Sequence, residues 1–144
     1  MITQTIEKTQ YDSFGSYQFI QDEELASTVI TSQILAGSRI QSSSYRQVVF
    51  SDCIFYACDF KGVSFENCIF ENCRFEFSHI KKCHFINCNF SDCTWVASTS
   101  INSTYKNCDF GLELRTILRS NKNNIQKDHS ADHSTDIYIE LLVA

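Results

Sequence analysis

Large apolar residues recur at every fifth position along most of this chain. Thirteen positions lie on that step between residues 50 and 110, and only Ser100 among them is not large and apolar. An α-helix would place apolar residues about every 3.6 positions, and a half-buried strand would place them at alternate positions. A period of five instead predicts a chain that turns a corner after each five-residue unit and points two side chains of every unit inward. The central inward residues are Phe50, Phe55, Phe60, Phe65, Phe70, Phe75, Ile80, Phe85, Phe90, Trp95, Tyr105 and Phe110.

The residue two positions before each central residue follows a rule of its own. From Ser38 to Cys108 every residue in this column is small, and all eight cysteines of the chain fall in it. A small side chain is expected where the corner crowds the axis, and buried cysteine usually behaves as a small hydrophobe. A spacing of five also sends successive thiols to different sides, which does not suit a zinc site. The structural corner positions are Cys53, Cys58, Cys68, Cys73, Cys83, Cys88, Cys93 and Cys108.

Four five-residue units would close a square coil of about 20 residues, and successive coils would stack through parallel strands about 4.8 Å apart. The repeat, as in FENCIFENCRF, resembles the pentapeptide-repeat family. The resemblance covers residues 38–110 clearly and residues 20–37 more weakly. Glu23 and Gln33 are large for the inward corner position, so the first full coil is expected near Ser38. The resemblance implies an all-β fold, a right-handed quadrilateral β-helix (a pentapeptide-repeat solenoid) with short capping segments at both ends.

The repeat divides the chain into three parts. Residues 1–19 are predicted to form an N-terminal cap, residues 20–110 the β-helix, and residues 111–144 a C-terminal capping helix, a polar loop and a terminal strand. Caps are expected because the open end of a solenoid exposes apolar centres and unpaired backbone groups.

Three patterns follow the last repeat. Leu114, Ile117 and Leu118 have the spacing of a short helix. The polar stretches SNKNN and KDHSADHSTD predict a loop. The final DIYIELLVA is apolar and β-prone, and predicts a strand that docks along the solenoid or adds to a second protomer. We therefore expect a homodimer that forms through the terminal segments.

Asparagine is frequent two positions after the central residues. It tolerates left-handed backbone and bonds to nearby amides, so we interpret these asparagines as corner-forming residues rather than binding residues. They are Asn67, Asn72, Asn87, Asn102 and Asn107.

The composition of the chain limits the class of partner and the cellular compartment that we expect for it. The 144 residues include 17 acidic and 12 basic side chains, a net charge of −5, which argues against direct nucleic-acid binding. No apolar run approaches the length of a membrane span, and the opening MITQTIEKTQ does not follow the basic-then-apolar pattern of a signal peptide. A cytoplasmic protein with free thiols is the expectation.

Positions twenty residues apart should stack in columns, so the faces of the solenoid are predictable. One face is predicted to be acidic, and the opposite face carries Lys61, Lys81 and Lys82, with Arg39 one coil below. A third face is apolar and large enough to be covered by a partner or a terminal segment. The candidate acidic face comprises Asp52, Glu71, Asp92 and Asp109. The candidate apolar face comprises Ile54, Tyr56, Phe77 and Val96.

Two functions stay open at this point. The mixed charge and the apolar face favour a non-catalytic protein-interaction or scaffold module with an unidentified protein partner. The family resemblance implies an alternative, a DNA mimic that binds a type II topoisomerase such as DNA gyrase and inhibits it or protects it from quinolones.

The sequence offers little for catalysis or for a cofactor. No nucleophile–base pairing and no phosphate-cradling glycine loop are visible, so we expect no enzyme, no catalytic residues and no cofactor. His129 and His133 would face one metal ion only if they lay on a helix, and their polar setting favours a loop, so we expect no metal site.

Overall fold

The computed structural model describes residues 4–6, 17–119 and 121–127, which form a parallel β-solenoid. Strands twenty residues apart pair in register, as Phe50 does with Phe70. Four short strands make one turn, so the solenoid has four faces, and side chains of the central residues fill its axis. The predicted fold class is confirmed.

The strands are most simply described face by face. The first face consists of the second halves of β3 (Glu24–Thr31) and β6 (Ser44–Ser51), then β10 (Ile69–Glu71), β14 (Asn89–Phe90) and β18 (Asp109–Phe110). The second face consists of β4 (Ile34–Ala36), β7 (Ile54–Tyr56), β11 (Arg74–Glu76) and β15 (Thr94–Val96). The third face consists of β2 (Phe19–Gln21), β5 (Arg39–Gln41), β8 (Asp59–Lys61), β12 (His79–Lys81) and β16 (Thr99–Ile101). The fourth face consists of the first halves of β3 and β6, then β9 (Ser64–Glu66), β13 (His84–Ile86), β17 (Thr104–Lys106) and β19 (Asn124–Gln126). Strand β1 (Gln4–Ile6) pairs with β3, and helix α1 (Leu112–Arg119) follows β18.

Stacked aromatic rings form the core. The ring centroids of Phe50 and Phe70 lie 4.8 Å apart, and those of Phe70 and Phe90 lie 4.6 Å apart. This distance is close to the strand spacing, because rings on equivalent positions of successive coils repeat with the backbone. All twelve predicted central residues are buried. Burial of each large apolar side chain contributes about 1.5–3 kcal/mol.

The small inward residues donate hydrogen bonds as well as filling space. The Cys73 thiol donates to the carbonyl oxygen of Phe50 in the preceding coil at 3.2 Å, and the Ser78 hydroxyl donates to that of Phe55 at 2.9 Å. Burial raises the pKa of the Cys58 and Cys83 thiols to about 11, so both stay protonated at neutral pH. This donor role explains why cysteine and serine share the column.

One of the eight corner cysteines differs in burial. Seven are buried, whereas Cys93 is only half-buried. Its backbone N–H donates a hydrogen bond to the carbonyl oxygen of Phe90 at 3.1 Å, which closes a local turn. The chain enters α1 where the next coil would have covered this corner.

Two positions after the central residue, each corner of the described coils has a residue in left-handed backbone, except the corner at Asp92, where the chain makes the local turn that the Cys93 N–H closes on Phe90. The five predicted corner asparagines have φ values between 52° and 55°, which confirms that they serve turn geometry. At Asp52, for example, the corner N–H donates to the carbonyl of Glu71 in the next coil at 2.9 Å. The corners therefore continue the hydrogen bonding of the strands along the solenoid.

The regular coils begin earlier than predicted. Strand β2 already pairs in register with β5, so the expectation of a first full coil near Ser38 was wrong. The two large inward residues are accommodated by hydrogen bonds. Glu23 accepts from the Tyr45 hydroxyl at 2.7 Å, and the buried Gln33 amide donates to the carbonyl of Thr31 at 3.1 Å.

The C-terminal end closes the solenoid with a helix and one more strand. Leu114 and Leu118 of α1 are buried on the core. The loop predicted over SNKNN ends one residue early, because its last residue, Asn124, begins β19, which lies in register with β17 and places Ile125 opposite Tyr105. Ile125 is the next apolar central residue on the step of five, so the period continues after the helix. The predicted loop over KDHSADHSTD lies outside the described residues except for Lys127, and the predicted terminal strand lies wholly outside them.

The serine that interrupts the apolar centres belongs to this closure. Ser100 is fully buried, and its hydroxyl lies 2.8 Å from that of Tyr105. It also donates to Oδ1 of Asn123 at 3.0 Å, and Asn123 Nδ2 donates back to the Ser100 carbonyl at 2.9 Å. A small polar network therefore replaces an apolar side chain beneath the helix.

Candidate interaction surfaces

The candidate apolar face contains two exposed aromatic rings in mutual contact. Tyr56 and Phe77 are 46% and 48% exposed, and their ring centroids lie 5.6 Å apart in an edge-to-face arrangement. Ile54 and Val96 flank them on β7 and β15 and are half-buried. The four predicted residues thus share the second face and its adjoining corner.

The corner beside this face is apolar along its length. We call the column of residues 17, 37, 57, 77 and 97 the apolar corner; it consists of Tyr17, Gly37, Ala57, Phe77 and Ala97. Every residue of the column has left-handed backbone, with φ values between 46° and 63°. The Phe77 N–H donates to the carbonyl of Val96 at 2.9 Å, as a regular corner residue does. Phe77 is unusual because bulky residues rarely adopt this conformation.

Sequence analysis missed three exposed apolar residues, of which Tyr17 and Ile34 extend the apolar corner and the apolar face, whereas Phe19 lies on the third face in register with Arg39. Tyr17 is 80% exposed, Phe19 58% and Ile34 45%. Ile34 pairs in register with Ile54, and a Cβ atom added to Gly37 would overlap the Tyr17 ring. Counting back in steps of twenty from Phe77 would have pointed to Tyr17.

An ion pair interrupts the apolar face. Arg74 and Glu76 on β11 pair with each other, between the coils that carry Ile54 and Val96. Because both side chains are partly exposed, this pair contributes little stability. It places one positive and one negative charge within an otherwise apolar surface.

The candidate acidic residues lie on one side but not in one column. Asp52 and Asp92 occupy the same corner column with Asn72 between them, and the Asn72 amide donates to Asp52 at 2.7 Å. Glu71 lies one position before that corner. Asp109 lies at the far edge of the face, in the column that also contains the exposed Ile69.

No lysine or arginine lies on the strands or corners of this face among the described residues. The face is therefore negative, but its carboxylates are separated by amide, hydroxyl and apolar side chains.

The third face holds an open groove between two columns of outward side chains. One column runs through Arg39, Asp59 and His79, and the other includes Lys61 and Lys81. The groove encloses about 470 Å³. We call it the basic groove; Gln41, Thr99, Ile101 and the buried Phe60 and Ile80 complete its lining.

Within the described ranges, no helix is long and apolar enough to cross a membrane.

The comparisons with known proteins agree with the repeat. Residues 45–94 match the family described as pentapeptide repeats (9 copies). Among curated proteins, none matches the sequence.

Two solved structures similar to this chain are trypsin-treated variants of QnrB1, described as a plasmid-mediated fluoroquinolone resistance protein. An arginine-to-glutamate variant has 11% identity and a TM-score of 0.30, with 99% of this chain and 97% of that chain covered. A methionine-to-arginine variant has 9% identity and a TM-score of 0.30, with 99% and 98% covered. At these TM-scores neither likeness carries an argument about function.

Proposed function

This chain belongs to the pentapeptide-repeat family, and from that premise we propose that it is a non-catalytic interaction module that binds a protein partner through its apolar face. The partner would cover Tyr56 and Phe77 and the adjoining apolar corner. Aromatic residues in apolar patches are the usual anchors of protein interfaces.

The observation that carries this proposal is the placement of Phe77. Left-handed backbone costs an ordinary residue about 1–2 kcal/mol, and glycine and asparagine are the residues that adopt it readily. Phe77 has a φ of 51°, and its ring is not buried by the described part of the chain. Its contact with Tyr56 recovers only part of that cost, because both rings remain half exposed to solvent. A binding role accounts for an aromatic residue that the fold itself does not require.

The test is affinity capture with the immobilised full chain and a lysate of the source cells. The wild type is compared with the double variant Tyr56→Ser/Phe77→Asn, and Ile69→Ser serves as the matched control. Ile69 is also an exposed apolar residue, but it lies on the first face. We expect one dominant partner with the wild type and the control, and at least about tenfold less of it with the double variant. Equal capture by all three proteins would refute a role for the apolar face.

A second candidate function is a DNA mimic directed at a type II topoisomerase, and the acidic face favours it. Its carboxylates span three coils, or about 14 Å, with no cation on the same strands and corners of the described chain. Duplex DNA carries about eight phosphate charges over that length, against four carboxylates here. We therefore rank the mimic below the interaction module.

The DNA-mimic function can be tested directly by measuring supercoiling by purified bacterial gyrase in the presence of this protein. The assay is run with and without a quinolone, at low and high salt. Inhibition or drug protection that weakens with salt and disappears in Asp52→Lys/Asp92→Lys would establish it. Asp59→Lys is the control, because Asp59 is equally exposed on the third face. If the wild type has no effect on gyrase, this second candidate is excluded.

A further inference from the structure

The basic groove contains two lysines that face each other without compensation. Lys61 and Lys81 are partners in the pairing of β8 with β12, so their backbones lie one strand spacing apart, about 4.8 Å. Like charges directly opposite each other on neighbouring strands destabilise a sheet. Lys82 follows at the next corner and adds a third cation to the same two coils.

The neighbouring carboxylate does not neutralise these lysines. Asp59 lies in the other column of the groove, in register with Arg39 on one side and His79 on the other. Asp59 is therefore directly opposite an arginine of its own column. Among residues 17–119 and 121–127, neither Lys61 nor Lys81 forms an ion pair with another described residue.

The backbone leaves room beside the two lysines. Gly62 occupies the corner next to Lys61, and a Cβ atom added there would meet nothing within 4 Å. The other residues of that corner column all have side chains; they are Asp22, Ser42, Lys82 and Asn102. The volume of the groove falls in the usual range of ligand sites, about 300–1,000 Å³.

The spacing of the charges selects a class of ligand. A peptide strand places the side chains of one face about 6.6 Å apart, which is too far to match lysines on successive coils. Consecutive phosphoryl groups share a bridging oxygen and bring their charges closer together than that. Lysine and arginine both bind phosphate, arginine through two parallel hydrogen bonds.

We infer that the basic groove binds an oligophosphate group, with Lys61 and Lys81 as its main contacts and Arg39 at one end. This site is independent of the proposed protein interaction, because it lies on a different face. Free polyphosphates and nucleotides both carry this group, and the groove recognises the chemistry that they share.

The experiment is calorimetric titration of the full chain with sodium tripolyphosphate, followed by amide chemical shifts of the labelled protein. Inorganic phosphate and a triglutamate peptide are titrated in parallel, and ATP without magnesium tests whether a nucleotide binds as well. We expect saturable one-to-one binding of tripolyphosphate, at least about tenfold tighter than that of inorganic phosphate or triglutamate. The changes in amide chemical shift during the titration should be largest for the residues of β8 and β12.

Variants separate this site from general attraction to positive charge. Lys61→Gln and Lys81→Gln should each weaken tripolyphosphate binding by about fivefold to tenfold. Lys81→Arg should retain it. Lys106→Gln is the matched control, because Lys106 occupies the same outward position of a strand on the fourth face and is exposed. An equal loss in this control, binding that does not saturate, or equal affinity for triglutamate would overturn the inference.

Discussion

Two corners of this solenoid have the same backbone and different side chains. The apolar corner contains Phe77 between two alanines, whereas the corner that follows the fourth face contains Asn67, Asn87 and Asn107 in succession. Phe77 and the three asparagines have φ values between 51° and 55°. The asparagines suit that conformation, because their side chains tolerate left-handed backbone and bond to nearby amides. Phe77 does not suit it.

The difference separates what the fold demands from what it merely permits. A corner demands left-handed backbone, and asparagine and glycine supply it at the lowest cost. It permits any side chain that can point to solvent. The residues that depart from the corner preference are therefore the best indicators of a role beyond folding, and the two aromatic residues Tyr17 and Phe77 are the largest of them.

The strongest way to sharpen this comparison is to truncate one phenylalanine inside the solenoid and one at the corner. Phe70 is 3% exposed and stacks on Phe50 and Phe90, so Phe70→Ala should lower the free energy of unfolding by about 3–5 kcal/mol. Phe77→Ala should lower it by about 0.5 kcal/mol or less, because only an exposed ring contact is lost. Denaturant unfolding of both variants measures the two values.

Comparable losses in the two variants would contradict this view. They would mean that the Phe77 ring is part of the core of the folded protein, and the argument that it is reserved for a partner would fail.

The same contrast explains how far the sequence could predict this molecule. The inward columns were predictable because one side chain of each unit must fill the axis, which imposes a strict period of five on residues such as Phe70 and Cys73. The end of the repeat was harder to predict. Ile125 continues the period only after a helix replaces part of a coil, and the partner of Ser100 is Asn123, which lies in a polar stretch.

The surface could be predicted only in part. Stacking in steps of twenty placed Tyr56 and Phe77 on one side, and the structure brings their rings into contact. Outward positions carry no periodic constraint, so the groove beside Lys61 left no signal in the repeat, and Tyr17 could be placed only by counting back in steps of twenty from Phe77. Which face is used for binding depends on a partner whose chemistry is not encoded in the fold.

A second prediction uses the two corner glycines with left-handed backbone as a matched pair. Gly37 and Gly62 have φ values of 63° and 64°. Gly62→Ala should cost about 1 kcal/mol from backbone strain alone, since the space beside it is open. Gly37→Ala should cost about 1–2 kcal/mol and also displace the Tyr17 ring. Unfolding free energies and the aromatic proton chemical shifts of Tyr17 measure the two effects.

Unchanged Tyr17 chemical shifts in Gly37→Ala would show that the ring does not rest on this corner in solution, and the apolar corner would then begin at Ala57.

The smallest expected effect is the most direct exchange between the two corners. Phe77→Asn should raise the free energy of unfolding by about 0.5 kcal/mol, because the relief of backbone strain slightly exceeds the lost contact with Tyr56. Asn87→Phe should lower it by about 1 kcal/mol, because it puts a bulky residue into left-handed backbone at a corner where the neighbours are asparagines. Chemical denaturation of both variants beside the wild type gives the sign of each change. Opposite signs mean that the protein retains Phe77 at some expense of stability, as expected of a binding residue. A loss of stability in both variants would mean that each corner is already optimal for folding, and Phe77 would need no partner to explain it.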